Sequence, residues 1–458
     1  MRTSPRARPS LAHPRHIGRA LAGCLAAALT LLLAVTLTAP AGAANKPTPG
    51  NFTGYGFDQC LTPTQEKMDA WLESSPFLAV GIYISGDSRA CRVQPNLTTT
   101  WVATQLAKGW RLMPITLGPQ ASCLDRFPRY DDDEVIDDDP GDDGLYRAAR
   151  LQGRQEASLA VQAAQALGIV ERSTLWYDLE GFDIGQVDCR ESALAFLSGW
   201  STRIKKLGYL SGVYSSAGSG MVILDKARVE KPGLIEMPDY IWIARWDGIA
   251  NTSTTYISDE GWQPHRRVKQ FEGGHNETWG GVTINIDRNY LDVGTGSVAR
   301  PETHCKGVQI DFTNYRPLVV GKKRPYLTLA LKCLLKERGY YAGKLRYGYG
   351  TAIVRAANAW QVKHGFAASS TFARKHWVAL LSQGNMPVLK YGSAGRYVRR
   401  IQRAVNAAQV AGQAPVAITG VYDTATARAV AAWQRATGLP VSGVVGSASW
   451  AALHIGQR

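Results

Sequence analysis

Between residues 53 and about 297, short apolar runs alternate with helical stretches, and this alternation restricts the possible fold more than any other feature of the chain. Candidate strands are Gly54–Asp58, Leu78–Ile84, Arg111–Leu117, Leu175–Glu180, Leu210–Ser215, Tyr240–Trp246, Val268–Phe271 and Thr283–Asp287. Strands separated by helix-length segments pair in parallel through crossover helices. Eight of them predict an α/β fold, a (β/α)8-type barrel in preference to a doubly wound sheet. Helix signals weaken after Val268–Phe271. Residues 131–143, between the third and fourth strands, carry nine acids at spacings that match no calcium loop, so a solvated insertion is expected.

In such a barrel, chemistry gathers at the C-terminal ends of the strands. Asp58 closes the first candidate strand, Asp178 and Glu180 the fourth, and Asp287 the eighth. Because residues i and i+2 of a strand face the same way, Trp176, Asp178 and Glu180 share a face. Each Asp taken singly also reads as a helix cap after a strand. Four carboxylates meeting at one rim suit glycosidic cleavage, in which one group keeps a proton for the leaving oxygen and another, ionised, supports the oxocarbenium-like centre. Tyr83, Trp176, Tyr214, Trp242 and Trp246 could stack on sugars, although alternation sends about half of such residues into the barrel core. The substrate-binding candidates are Tyr214, Trp246, Gln270 and Trp176.

Residues 1–44 read as a secretory leader. Five arginines and no acid precede the apolar run Ala20 to Leu37, and Ala41-Gly42-Ala43 offers a small-x-small cleavage pattern. Cys24 follows a lipoprotein-like Leu-Ala-Gly, but at the start of the apolar run rather than after it, which argues against a lipid anchor. No later stretch approaches a bilayer-spanning length. Export makes disulfides the default for Cys60, Cys91, Cys123, Cys189, Cys305 and Cys333. The last two form a local pair, and the other pairings stay open. No metal-ligand spacing occurs, so neither a metal nor a cofactor is expected.

Residues 301–458 hold 22 Lys/Arg against four acids, whereas residues 45–300 hold 25 basic and 33 acidic side chains. The basic end suits an anionic polymer. With a leader in front, anionic wall polymers fit better than nucleic acid.

That basic end contains a repeat. Pro387-Val388-Leu389, Val398, Ile401-Gln402, Gly420, Asp423, Thr426, Trp433-Gln434, Gly438-Leu439 and Trp450 resemble the peptidoglycan-binding domain 1 family over 386–456. A divergent copy over 305–383 keeps Trp360-Gln361 and Trp377, each 73 residues before its counterpart, but lacks the Asp-x-x-Thr pattern. Each copy is expected to form a small three-helix bundle with its tryptophans mainly in the core.

Gly56-Phe57-Asp58, Tyr177-Asp178-Leu179-Glu180, Gly212-Val213-Tyr214-Ser215, Trp242 to Trp246, Val268 to Phe271 and Ile286-Asp287-Arg288-Asn289 follow the order found in the glycoside hydrolase family 25 lysozymes. More closely, 53–297 resembles the glycoside hydrolase-like barrels of exported actinobacterial proteins, a sister group of those lysozymes. The resemblance implies Glu180 as general acid, Asp178 as transition-state or acetamido support, and Asp58 and Asp287 as the other rim carboxylates. Lys269-Gln270-Phe271 departs from the lysozymes' Trp-Gln-Tyr. With 45–52 and 298–304 as linkers, the sequence reads as a secreted, monomeric muramidase held on peptidoglycan glycan strands by its C-terminal modules. A non-catalytic wall-binding or scaffold protein is the alternative.

Overall fold

The computed structural model describes residues 45–124 and 126–458, so the expected leader and Cys24 lie outside it. β1 (Phe52–Asp58), β2 (Ala79–Ser85), β3 (Arg111–Thr116), β4 (Thr174–Asp178), β5 (Leu210–Ser216), β6 (Tyr240–Ala244), β7 (Arg266–Trp279) and β8 (Val282–Val293) close a barrel in sequence order. α1 (Gln65–Ser74), α2 (Thr99–Lys108), α3 (Arg147–Ala166), α4 (Val187–Lys206) and α5 (Val222–Glu230) cover its outside. Every residue of β4 is buried, as expected for a strand lined by side chains inside and helices outside. Thr64 and Thr98 start α1 and α2 by accepting hydrogen bonds from the backbone N–H of Lys67 and Trp101.

The barrel departs from eightfold βα repetition at its closure. β1 to β7 pair in parallel, but β8 runs antiparallel to both β7 and β1. Gly280 and Gly281, at φ 59° and 79°, form the two-residue turn of the β7–β8 hairpin. The weak helix signals after Phe271 therefore have a structural cause: a hairpin stands where a crossover helix would be. Asp287 was expected at the end of a parallel strand, and it lies in the middle of antiparallel β8. It still reaches the rim because the register sets it directly opposite Asp58, the last residue of β1.

The C-terminal part consists of α6 (Pro325–Glu337), α7 (Thr351–Lys363), α8 (Arg374–Ser382), α9 (Arg396–Ala408), α10 (Thr424–Thr437) and α11 (Ser447–His454), and the six helices share one hydrophobic core. Trp360, Trp377, Trp433 and Trp450 are all fully buried in it. The repeated glutamines are structural as well. Gln434 donates to Val444 O and accepts from Ser442 N, while Gln361 makes the same pair with Thr371 O and Ser369 N, 73 residues earlier. Asp423 caps α10 through Thr426 N. Gly350 occupies the matching position at α7 and offers no side-chain cap, so the missing Asp-x-x-Thr becomes a missing cap.

Cys305 and Cys333 are bonded as expected, and the open pairings resolve to Cys60–Cys91 and Cys123–Cys189. The second helical copy is docked on the barrel's base. The Lys390 ammonium is buried there, donating to Trp71 O, Ser75 O and Phe77 O at 3.2, 2.9 and 3.1 Å. Beside it Tyr391 and Tyr290 share a hydroxyl hydrogen bond at 3.0 Å, and Ser297 donates to Gly392 O.

Candidate active site at the barrel rim

At the rim, β1, β4 and β8 bring the four expected carboxylates together. Asp58 and Asp178 are only 4% and 3% exposed, because each is the last residue of a strand and points into the barrel mouth. Asn289 donates to Asp58 Oδ1 at 2.6 Å, and Gln270 Nε2 does so at 3.2 Å. Burial, followed by the neighbouring Asp287 charge, raises the Asp58 pKa well above the ordinary aspartate range. Asp287, less deeply buried, is pushed up to about 6, mainly by desolvation, while its hydrogen bond with Asp58 and the charge of His275 oppose the shift. Two carboxyls in such contact titrate as a pair and hold a proton to higher pH than an ordinary aspartate does.

Asp178 accepts from the Tyr83 hydroxyl at 3.2 Å through Oδ2, while its buried Oδ1 has no partner. Burial and then the Glu180 charge raise its pKa well above the usual range. Glu180, two residues beyond the strand, is partly exposed and ion-paired with Arg126 at 2.5 Å. Gln120 sets the Glu180 backbone, accepting from Glu180 N at 2.9 Å and donating to Asp178 O at 2.8 Å.

Three contiguous hollows meet at Glu180. The central one, about 210 Å³, contains all four carboxylates with Tyr83, Tyr214 and Trp246. One arm of about 250 Å³ runs toward the Cys60–Cys91 disulfide and Asn285, and another of about 420 Å³ runs past Tyr214, Trp246 and Tyr256. The result is an open groove crossing the barrel mouth, with a narrow acidic floor at its middle.

The expected substrate-binding residues separate into two kinds. Trp246 is 66% exposed and Tyr214 half-buried, and both line the groove. Gln270 is buried, accepting from Tyr214 Oη and Trp246 Nε1 at 2.9 Å each while donating to Asp58. It ties both aromatic residues to the acidic floor. Trp176, expected to touch substrate, is fully buried in the barrel core against Trp242, ring centroids 5.6 Å apart, and offers no face to a sugar. The i, i+2 rule put it on the correct side of the strand but could not tell how far below the rim it sits.

Arg126 and Asn289 escaped the sequence reading. Asn289 lies two residues after Asp287 on the same strand face, a signal that could have found it. Arg126 stands in a loop without periodicity, so only the folded chain brings it to Glu180. The Lys269 ammonium, at the departure from the lysozyme pattern, is buried and binds Asp247, Asn251 and Ser253 O. It anchors the loop after β6 rather than facing the groove.

Residues 69–291 match the model of the Rv2525c-like, glycoside hydrolase-like domain, and residues 394–453 that of the putative peptidoglycan binding domain. Among solved structures, the chain is similar to an uncharacterized B. stearothermophilus protein at 16% identity and a TM-score of 0.33, over 52% of this chain and 95% of that one. The Mycobacterium tuberculosis Tat-secreted protein Rv2525c, in complex with L-tartrate, aligns at 13% identity and 0.34 over 52% and 95%. The modular autolysin LytC from Streptococcus pneumoniae aligns at 11% and 0.32 over 52% and 46%. No curated protein matches the chain.

Proposed function

We propose that this chain, which carries an Rv2525c-like glycoside hydrolase-like domain ahead of a peptidoglycan-binding module, is a secreted muramidase that cleaves the glycan strand of the cell wall. The observation that carries the proposal is the position of Glu180, common to all three hollows of the groove, above three carboxyls whose environments differ. A glycan laid along the groove would place one glycosidic oxygen over Glu180, with sugars in both arms. Glu180 then donates a proton to the leaving oxygen, and Asp178 supports the charge that develops at the sugar carbon or orients a 2-acetamido group. Asp58, held by Asn289 and Gln270, and Asp287 opposite it keep the floor polar. Tyr214 and Trp246 line one arm as stacking surfaces. The basic helical part holds the enzyme on peptidoglycan and its anionic polymers, raising the local concentration of bonds to cut. A monomer suffices for this.

One observation favours a second reading, a wall-bound protein that grips glycan without cutting it. Arg126 Nη2 holds Glu180 Oε2 at 2.5 Å, so one oxygen of the Glu180 carboxylate is engaged by a guanidinium instead of lying open to a leaving oxygen. The two readings separate in one assay of reducing ends released from purified walls. For the hydrolase, Glu180→Gln lowers release at least about a hundredfold, and Arg126→Ala leaves it within about tenfold of wild type or raises it. Wild-type protein that sediments with walls of several types yet releases no reducing ends establishes the binder and ends the hydrolase reading.

A further inference from the structure

The two helical copies enclose a cleft of about 310 Å³ between the end of α6, the 383–385 connection and the first turns of α9. Four arginines line it, and they are not equivalent. Arg403 is spent on Glu302 and Asp311, at 2.8 and 2.6 Å. His304 lies between Glu302 and Glu337, so the two acids of the cleft are also engaged. Arg338, Arg396 and Arg400 have no carboxylate within ion-pair distance among the described residues.

Arg338 and Arg400 are held rigidly instead. Arg338 donates to Leu334 O, Leu380 O and Gln383. Arg400 donates to Asn385 O and Ser382 O and lies over the Trp450 ring at 4.7 Å, and its buried Nε has no partner. Arg396 donates to Tyr397 Oη and is otherwise free at the cleft mouth. A guanidinium has five N–H donors, so these three residues leave several donors unfilled around one hollow. Burial lowers the pKa of both Arg338 and Arg400, and Arg338 further lowers that of Arg400, with Glu337 and Glu302 opposing these shifts only in part.

We propose that this cleft binds the terminal carboxylate of a peptide, and, resting on the wall-binding reading, that the peptide is a stem of peptidoglycan. Forked guanidiniums fit a carboxylate through paired N–H···O bonds. The hollow is compact, and Glu302 and Glu337 also line it, so a single anionic end fits better than a polymer with a charge at every unit. The site needs both copies, since Arg338 belongs to the divergent one and Arg396 and Arg400 to the second. The divergent copy thus becomes half of a binding site.

The test is calorimetric titration of the intact protein with N-acetyl-alanyl-alanine in its D and L forms, its C-terminal amide, and glycerol phosphate. Saturable binding of the acid is expected, with the amide and Arg396→Gln each weakening it about tenfold and Arg400→Gln more. Arg396 is exposed, so its variant keeps the test valid if Arg400→Gln fails to fold. Equal binding of acid and amide, tighter binding of glycerol phosphate, or no binding of the acid overturns the proposal. Wall sedimentation run alongside separates the two claims: walls bound without the acid binding sinks only the cleft, and the acid bound without walls sinks only the wall reading.

Discussion

The barrel buries charge at both ends and treats it in opposite ways. At the base, the Lys390 ammonium spends its three protons on three carbonyl oxygens that end α1 and lead into β2. At the rim, Asp178 is buried as deeply but keeps one oxygen without a partner, and Asp58 and Asp287 face each other across two strands. A buried charge with its hydrogen bonds complete holds structure together, whereas one left incomplete is strain kept for use. The base is therefore a structural joint, and the rim is where the proposed chemistry falls.

The largest expected effect tests the base. Lys390→Ala removes three buried hydrogen bonds and leaves Ser75 O and Phe77 O without a donor, while Trp71 O keeps Ser75 N and Ser75 Oγ. It should cost about 4 kcal/mol, read as a lower urea midpoint with the rim chemistry unchanged in whatever protein stays folded. A loss under about 1 kcal/mol would mean that water replaces the ammonium and the joint is loose.

Next comes a difference of sign with pH. Asp287 has a raised folded-state pKa of about 6, so its contribution to stability is complete below the ordinary value of 3.8 and is lost as pH rises through about 6. The expected fall is roughly 3 kcal/mol, and Asp287→Asn should flatten it. Lys390 behaves oppositely. Burial holds its folded pKa well below 10.5, so its contribution grows as pH climbs toward that value. Urea titrations from pH 4 to 10 on wild type, Asp287→Asn and Lys390→Met separate the two limbs, and a common slope in all three proteins would erase the contrast.

The smallest effect is a gain. Asp178→Asn removes a buried, incompletely bonded carboxyl and should raise stability by about 1 kcal/mol while abolishing any reducing-end release. A lower melting temperature would show that Asp178 is as structural as Lys390.

Much of this fold was legible in the sequence, because strands, helix caps and the 73-residue repeat are local patterns written in side-chain spacing. All eight strands were found, with ends shifted by a few residues. β7 and β8 were cut short, since their hairpin continues beyond the rim with mixed polarity. Asp58, Asp178 and Glu180 were legible because each stands at or near a strand end, whereas Asp287 lies mid-strand in β8 and reaches the rim through its register with Asp58. Trp176 was misplaced because alternation fixes the direction of a side chain and leaves its depth open.

By itself, the sequence determined the alternation that builds the barrel, the paired helical copies, the cysteine supply and the charge contrast between the two halves. Tertiary structure alone decided that β8 runs antiparallel, that Cys60 bonds Cys91 and Cys123 bonds Cys189, that Arg126 meets Glu180, and that Lys390 enters the barrel's base. The division has a physical reason. Periodicity and capping act over a few residues, whereas the partner of a charge and the depth of a ring depend on which distant segments share the same few ångströms once the chain has closed.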